Sequence, residues 1–245
     1  MFTPARRRGV EILDDPSHDP VLAVRSLHDV AKANLLFGGR HAVLREVRRV
    51  LARTPSSAPV RTLLDIGTGI GDIPASSARA AHKAGVQLRT LGLEITPALA
   101  RAAQPSCTWC AVGDALALPF ADSSIDIVTC SQVLHHFDGS SAERLLRECA
   151  RVAREAVVIA DLRRSWLAVG GLWLSSFLLG FHPVSRNDGI VSILRGYTLA
   201  ELRALVTCAT GAEPVVRHSL GWRVTAVWMP ARSHSPPHRT HSSIR

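Results

Sequence analysis

Leu63-Leu64-Asp65-Ile66-Gly67-Thr68-Gly69-Ile70-Gly71-Asp72 is the most informative stretch of this chain. It passes from the apolar run of a buried strand into three alternating glycines. An ordinary tight turn needs no such density. Glycines at a strand-to-helix turn let the backbone approach a ligand closely. The spacing narrows the ligand. A dinucleotide fingerprint reads G-x-G-x-x-G, and counted from Gly67 its third glycine falls on Asp72. A Walker loop needs a Gly-Lys-Ser/Thr ending, and no lysine is near. Asp65, at the end of the strand, repels a pyrophosphate and suits a ligand that carries an ammonium group.

Around this turn, short apolar runs alternate with helical periodicity. Strands are expected over residues 61–66, 86–93, 108–112, 125–131 and 156–160. A helix over residues 72–84 is closed by Gly85. Thr96-Pro97 opens a shorter one. Ser140-x-x-Glu143 reads as a capping box for a helix reaching residue 154, and Thr198-x-x-Glu201 as another. Strands alternating with helices imply a parallel, doubly wound α/β sheet. Residues 213–219 and 223–229 differ, because only Leu220-Gly221-Trp222 separates them. So short a connection cannot hold a crossover, so this pair is expected to form an antiparallel terminal hairpin. Upstream, Asp19-Pro20 reads as an N-cap and first helical residue. Val21, Val24, Leu27, Val30 and Ala31 then recur at helical spacing, as do Val43, Leu44, Val47, Val50 and Leu51 in a second helix. The expected organisation is a flexible segment over 1–18, a helical cap over 19–54, and a core over 55–230 with an insertion at 162–196. A disordered basic tail over 231–245 completes it.

The 245 residues are 47% hydrophobic and 20% charged, which excludes a mostly disordered chain or a disulfide-stapled miniprotein. The net charge of +9 invites a nucleic-acid reading. However, Arg6, Arg7, Arg8, Arg232, Arg239 and Arg245 stand in acid-free ends, and residues 10–230 carry only +3. Nucleic acid is therefore the minority reading. The five cysteines lack framework spacing, which fits a reducing cytoplasm. Cys107-Thr-Trp-Cys110 has no second ligand pair, so no metal is expected. Arg6-Arg7-Arg8 is followed by Glu11, Asp14 and Asp15 rather than by an apolar export segment. Residues 166–181 are apolar and uncharged but short of the ~20 needed to span a bilayer. A buried or interfacial helix is expected there, with peripheral membrane contact left open.

Taken together, residues 61–230 resemble the class I S-adenosylmethionine-dependent methyltransferases. The Gly-Thr-Gly-x-Gly-Asp form is most similar to the quinone C-methyltransferase branch and its small-molecule relatives. The resemblance implies a Rossmann-like seven-stranded sheet and S-adenosylmethionine as cofactor. It assigns Asp65, Gly67, Thr68, Gly69, Gly71 and Asp72 to the methionine part. Glu94, beside Ile95, ends the second strand, where a carboxylate can accept from both ribose hydroxyls. Dehydrogenases share that feature. Asp114 ends the third strand and by resemblance accepts from the adenine amine, with the N–H of Ala115 meeting the ring. Ser131-Gln132-Val133-Leu134-His135-His136-Phe137 resembles the fourth-strand exit of small-molecule methyltransferases, which adds Ser131 and Gln132 to the cofactor set. Asn34, Phe37 and Gly38, at the end of the first helix, are further candidates.

His135 and His136 lie at the strand end where an acceptor's proton would leave, and they titrate in the right range. The alternative is that they only line the pocket, with alignment supplying the acceleration. In the resembled family the insertion after the fifth strand shapes the acceptor pocket. Here Trp166, Trp173, Phe177 and Phe181 point to a lipophilic or aromatic acceptor, unless the segment is a plain core helix. Arg186, Asp188, Arg195 and Tyr197 could orient a polar head group or serve as surface loop. The expected activity is in-line methyl transfer to a small phenolic, quinone or polyketide-like acceptor by a cytoplasmic enzyme. An RNA methyltransferase and a nucleotide-dependent oxidoreductase are the competing readings, the latter disfavoured by the glycine spacing and Asp114. The oligomeric state is not legible.

Overall fold

The structure is a computed structural model, and it describes residues 3–7, 9–12, 20–53 and 60–230. The Asp19 cap, the linker at 54–59 and the tail at 231–245 lie outside the described residues. The elements run α1 (Pro20–Leu36), α2 (Gly39–Arg53), β1 (Val60–Ile66), α3 (Asp72–Lys83), β2 (Gln87–Glu94), α4 (Pro97–Ala103) and β3 (Trp109–Val112). They continue with β4 (Ile125–Ser131), α5 (Gly139–Val152), β5 (Ala153–Leu162), α6 (Trp166–Leu178), α7 (Pro183–Arg195), α8 (Leu199–Thr210), β6 (Val215–Ser219) and β7 (Arg223–Trp228).

One seven-stranded sheet has the order β3-β2-β1-β4-β5-β7-β6. The first five strands are parallel, and β7 runs antiparallel to both β5 and β6. The expected doubly wound sheet with a terminal hairpin is what forms. Adjacent strand residues point to opposite faces, which explains the unbroken apolar runs of the central strands. Leu64, Val128 and Val157 pack with Leu145, Leu146, Leu202 and Val206 of α5 and α8. Their neighbours Leu63, Ile127 and Val158 pack on the other face with Val43, Val47, Ile73 and Ala81 of α2 and α3.

Three expectations change. The Ser140 box does not form. Helix α5 starts two residues earlier, at Gly139 with φ +50°, after an extended Asp138, and Glu143 accepts from Arg147 instead. The box at Thr198 does form, with both reciprocal hydrogen bonds in place. The expected flexible N-terminal segment is, over its described residues, a strap on the core. Arg164 Nε donates to the Pro4 carbonyl (3.1 Å), and Arg6 donates to the Arg195 carbonyl (2.7 Å) and the Tyr197 hydroxyl (2.9 Å). Arg6 also pairs with Asp138 at 3.3 Å, so this part of the basic N-terminus is spent on internal contacts. Third, of the two readings of α6 the buried one falls away: only Ala168 and Ser176 are buried, and Trp166, Leu167, Trp173, Leu174, Phe177 and Leu178 face outward. No described helix is long and apolar enough to cross a membrane.

Candidate functional site

The β1 turn builds the site floor. Gly67, Gly69 and Gly71 all have positive φ (63°, 62° and 76°), the left-handed region that a side chain disfavours. A Cβ on Gly67 would run into Val133 Cγ2, and one on Gly71 would lie 2.6 Å from Ser106 Cβ. The loop thus folds tightly back, and the Gly69 N–H donates to Glu94 Oε1 at 2.5 Å. Gln132, at the β4 exit, also holds a positive φ of 56°, a strained setting for a non-glycine residue. Its amide donates to Asn34 Oδ1 of α1, which ties the helical cap to the sheet edge.

Over this floor lies a cavity of about 400 Å³. Asp65, Gly67, Thr68, Gly69, Asp72, Ser131 and Gln132 of the expected cofactor set line it, as do His135, His136, Asn34 and Phe37. Gly71, Glu94, Ile95, Asp114 and Ala115 do not. Glu94 and Asp114 continue instead along the carboxyl edge of the sheet. The Gly113 N–H donates to the Glu94 carbonyl (2.9 Å), and Asp114 Oδ1 caps the Leu116 N–H (2.8 Å). Ile95 is exposed beside them.

The electrostatics of the floor are those of a site built for a cation with polar substituents. Burial pushes the Asp65 carboxyl up to about 7, although Thr129 Oγ1 donates to it at 2.6 Å. Burial likewise raises Asp72 and Glu94. Thr68 Oγ1, Asp72 Oδ2 and Ser131 Oγ are buried without a hydrogen-bond partner. Such groups are costly unless a ligand satisfies them.

A second cluster sits at the far wall. His135 Nδ1 lies 2.7 Å from Asp161 Oδ1, and its backbone N–H donates to Asp161 Oδ2 at 3.1 Å. On the other side, His135 Nε2 stands 3.6 Å from Glu11 Oε1, and His136 Nε2 stands 3.9 Å from Glu11 Oε2. Burial opposes charge on His135, but the Asp161 and Glu11 carboxylates outweigh it and raise its pKa to about 9. Burial also opposes the Glu11 anion, yet His135 and His136 hold its carboxyl below the usual range. Glu11, His135 and His136 bring ligand-type atoms within 4.8 Å of one another, as a metal would require. The Arg195 guanidinium, 3.2 Å from Glu11 Oε1, and the Ser192 hydroxyl, 2.7 Å from it, make the cluster a charge network instead. Sequence reading missed Glu11 and Asp161. Asp161 carried the signal already used for Asp65, Glu94 and Asp114, an acid closing an apolar strand. Glu11 carried none, because its place depends on the strap.

Of the expected acceptor-side residues, Phe181 and Asp188 line the cavity, whereas Trp173, Phe177, Arg195 and Tyr197 do not. Trp173 and Phe177 stand edge to face on the outside of α6, with ring centroids 5.1 Å apart. The helical period instead turns Ala168, Gly171 and Leu172 inward. Arg195 supports Glu11 from behind. Tyr197 is buried, its hydroxyl donating to the Leu134 carbonyl (3.3 Å) and its ring lying under Arg6. Ile193 joins Phe181 and Asp188 in the wall.

The methyltransferase-domain family matches residues 64–160. An uncharacterized methyltransferase of Mycobacterium avium is 33% identical over 193 residues, covering 70% of this chain and 72% of its own. Solved structures similar in fold include two methyltransferases. An O-methyltransferase family 2 protein from Planctomyces limnophilus, in complex with apigenin, has a TM-score of 0.63 at 17% identity, covering 89% of this chain and 63% of its own. Magnesium protoporphyrin IX methyltransferase from Synechocystis with bound S-adenosylhomocysteine has a TM-score of 0.53 at 16% identity, covering 89% and 90%. The glycine turn, the row of acids along the sheet edge and the M. avium relative agree: the chain belongs to the class I S-adenosylmethionine-dependent methyltransferases.

Proposed function

We propose that this methyltransferase acts on a small lipophilic or aromatic acceptor of phenolic, quinone or polyketide type. The observation that carries the reading is the cavity itself. Its floor is the polar glycine turn, while α1, α6, α7 and the loop between the last two close it with Leu27, Val30, Leu172, Ile193 and Phe181. A mostly apolar lining, with Glu11, His135, His136 and Asp188 set into its wall, orients a flat apolar molecule and excludes water.

The floor residues fit S-adenosylmethionine. Asp65 takes its ammonium, the unpartnered Thr68 and Ser131 hydroxyls and Asp72 take its polar substituents, and Glu94 and Asp114 follow its nucleoside along the edge. Bound there, the cofactor supplies a methyl group already electrophilic on its sulfonium. The protein's own share is alignment of the acceptor and management of its proton. His135, charged at neutral pH between Asp161 and Glu11, holds the Glu11 carboxylate in place at the wall. His136, half-buried in the wall, takes the departing proton with Glu11 beside it.

A methyl-transfer assay over phenols, quinones and polar amines, read by product mass, tests the acceptor class. Turnover confined to polar amines overturns it. His136→Ala is expected to lower turnover by about 10²-fold while leaving the cofactor Kd unchanged, since a positioned base contributes on that scale. Unaltered turnover would remove His136 from the proton path.

A further inference from the structure

Helix α6 carries no charge and turns its bulkiest side chains away from the protein. Trp166, Leu167, Trp173, Leu174, Phe177 and Leu178 are between 47% and 84% exposed. With Gly170 they form one uninterrupted stripe along thirteen residues, while Ala168, Gly171 and Leu172 wall the cavity. Contiguous apolar patches of this kind mark a binding surface.

Cations edge the stripe. The Arg7 guanidinium lies 5.5 Å from the Trp166 ring centre and Arg186 lies 3.6 Å from that of Phe177. Lys32 Nζ lies 5.9 Å from that of Phe181 and donates to the Leu179 carbonyl at 2.8 Å. No acid faces outward from α6. Of the nearby carboxylates, Asp29 accepts from the His182 N–H and Asp188 is buried, accepting from the Ile12 N–H. An apolar helix with tryptophans, framed by Arg and Lys, has the chemistry of a lipid–water boundary with anionic headgroups. A helix of thirteen residues is about 20 Å long, enough to lie in that boundary and too short to cross it. A second copy fits less well, because a twofold contact through this face would set one basic rim against its twin.

We infer that the outer face of α6 seats the enzyme on an anionic lipid surface, so that a membrane-dissolved acceptor reaches the cavity past this helix. The route, though not the seat, rests on the lipophilic-acceptor reading. Gly170 and Gly171 support it. A Cβ at either would meet nothing within 4 Å, so close packing does not demand glycine there. Two mid-helix glycines instead loosen the element that separates lipid from cavity.

The test is co-sedimentation of the full chain with phosphatidylcholine vesicles, with and without phosphatidylglycerol, alongside ultracentrifugation without lipid. Binding to the anionic vesicles is expected, with a blue shift of tryptophan emission and weakening by salt. The Trp173→Glu, Leu178→Glu double variant should bind at least about tenfold more weakly, with its melting temperature and cofactor Kd unchanged. Arg7→Gln with Lys32→Gln should weaken binding to anionic vesicles alone. Absence of vesicle binding overturns the proposal, as does undiminished binding by the Glu variant. A dimer that the Glu variant dissociates overturns it too, by making the face a self-association surface. Turnover of a water-soluble phenol without vesicles is read separately. If it persists while vesicle binding fails, only the membrane seat is lost.

Discussion

At the scale of single residues, His135 concentrates the chemistry of the far wall. It is buried between two carboxylates, and the charge they stabilise links protonation to folding. A histidine whose folded pKa is about 9, against 6.5 unfolded, adds stability that is complete below the unfolded value. That stability is lost as the pH rises through the folded value. The melting temperature should therefore fall between about pH 7 and pH 10. Asp161→Asn leaves the His135 charge buried beside a neutral partner, and should cost about 3 kcal/mol and flatten that slope. An unchanged slope in the variant, measured by thermal melts across the range, would detach Asp161 from the titration. Asp65, Glu94 and Asp114 were legible from sequence because each closes an apolar run at a strand end. Asp161 closes a run in the same way, but the expected fifth strand stopped at residue 160, one residue short of it.

At the scale of elements, the glycine turn is where sequence and structure agree most closely. The alternating spacing excludes the dinucleotide fingerprint, and the structure gives the reason for each glycine in φ and in space. Gly67→Ala must adopt a φ of +63° and push its Cβ into Val133. Overpacking of this kind costs about 1–3 kcal/mol, and the shifted loop should raise the cofactor Kd at least about tenfold. Calorimetry with S-adenosylmethionine checks this, and wild-type affinity would show that the loop relaxes freely. The two capping-box motifs show the limit of local signals. Thr198 succeeds, and its partner Glu201 is also gripped by both terminal nitrogens of Arg164 at 2.8 Å. Ser140 fails because the helix begins two residues sooner, with Asp138 as its N-cap and Gly139 as its first residue. Helix α6 illustrates the same limit. Its apolarity was plain, but periodicity cannot say which face meets the protein when both are apolar.

At the scale of the molecule, the strap, the helical cap and the insertion converge on one edge of the sheet. Arg164 and Arg6 pin the strap, and Glu11 reaches the cavity because they do. Deleting residues 1–12 should therefore lower turnover at least about tenfold while cofactor affinity changes little, since the floor belongs to β1 and β4. Glu11→Gln should reproduce most of that loss with less effect on the melting temperature. Equal turnover in both proteins would reduce the strap to a packing element.

The sequence by itself determined the sheet, its antiparallel end, the cofactor turn and the acids that follow it. These are local: period, glycine spacing and strand-end chemistry lie within a few residues of one another. Only the tertiary structure decided which groups face the acceptor. It moved Trp173 and Phe177 to the outside, buried Tyr197 under Arg6, and brought Glu11 across 124 positions of chain to stand beside His135. Such pairings depend on how distant segments pack over the sheet edge, and no local pattern of residues encodes them.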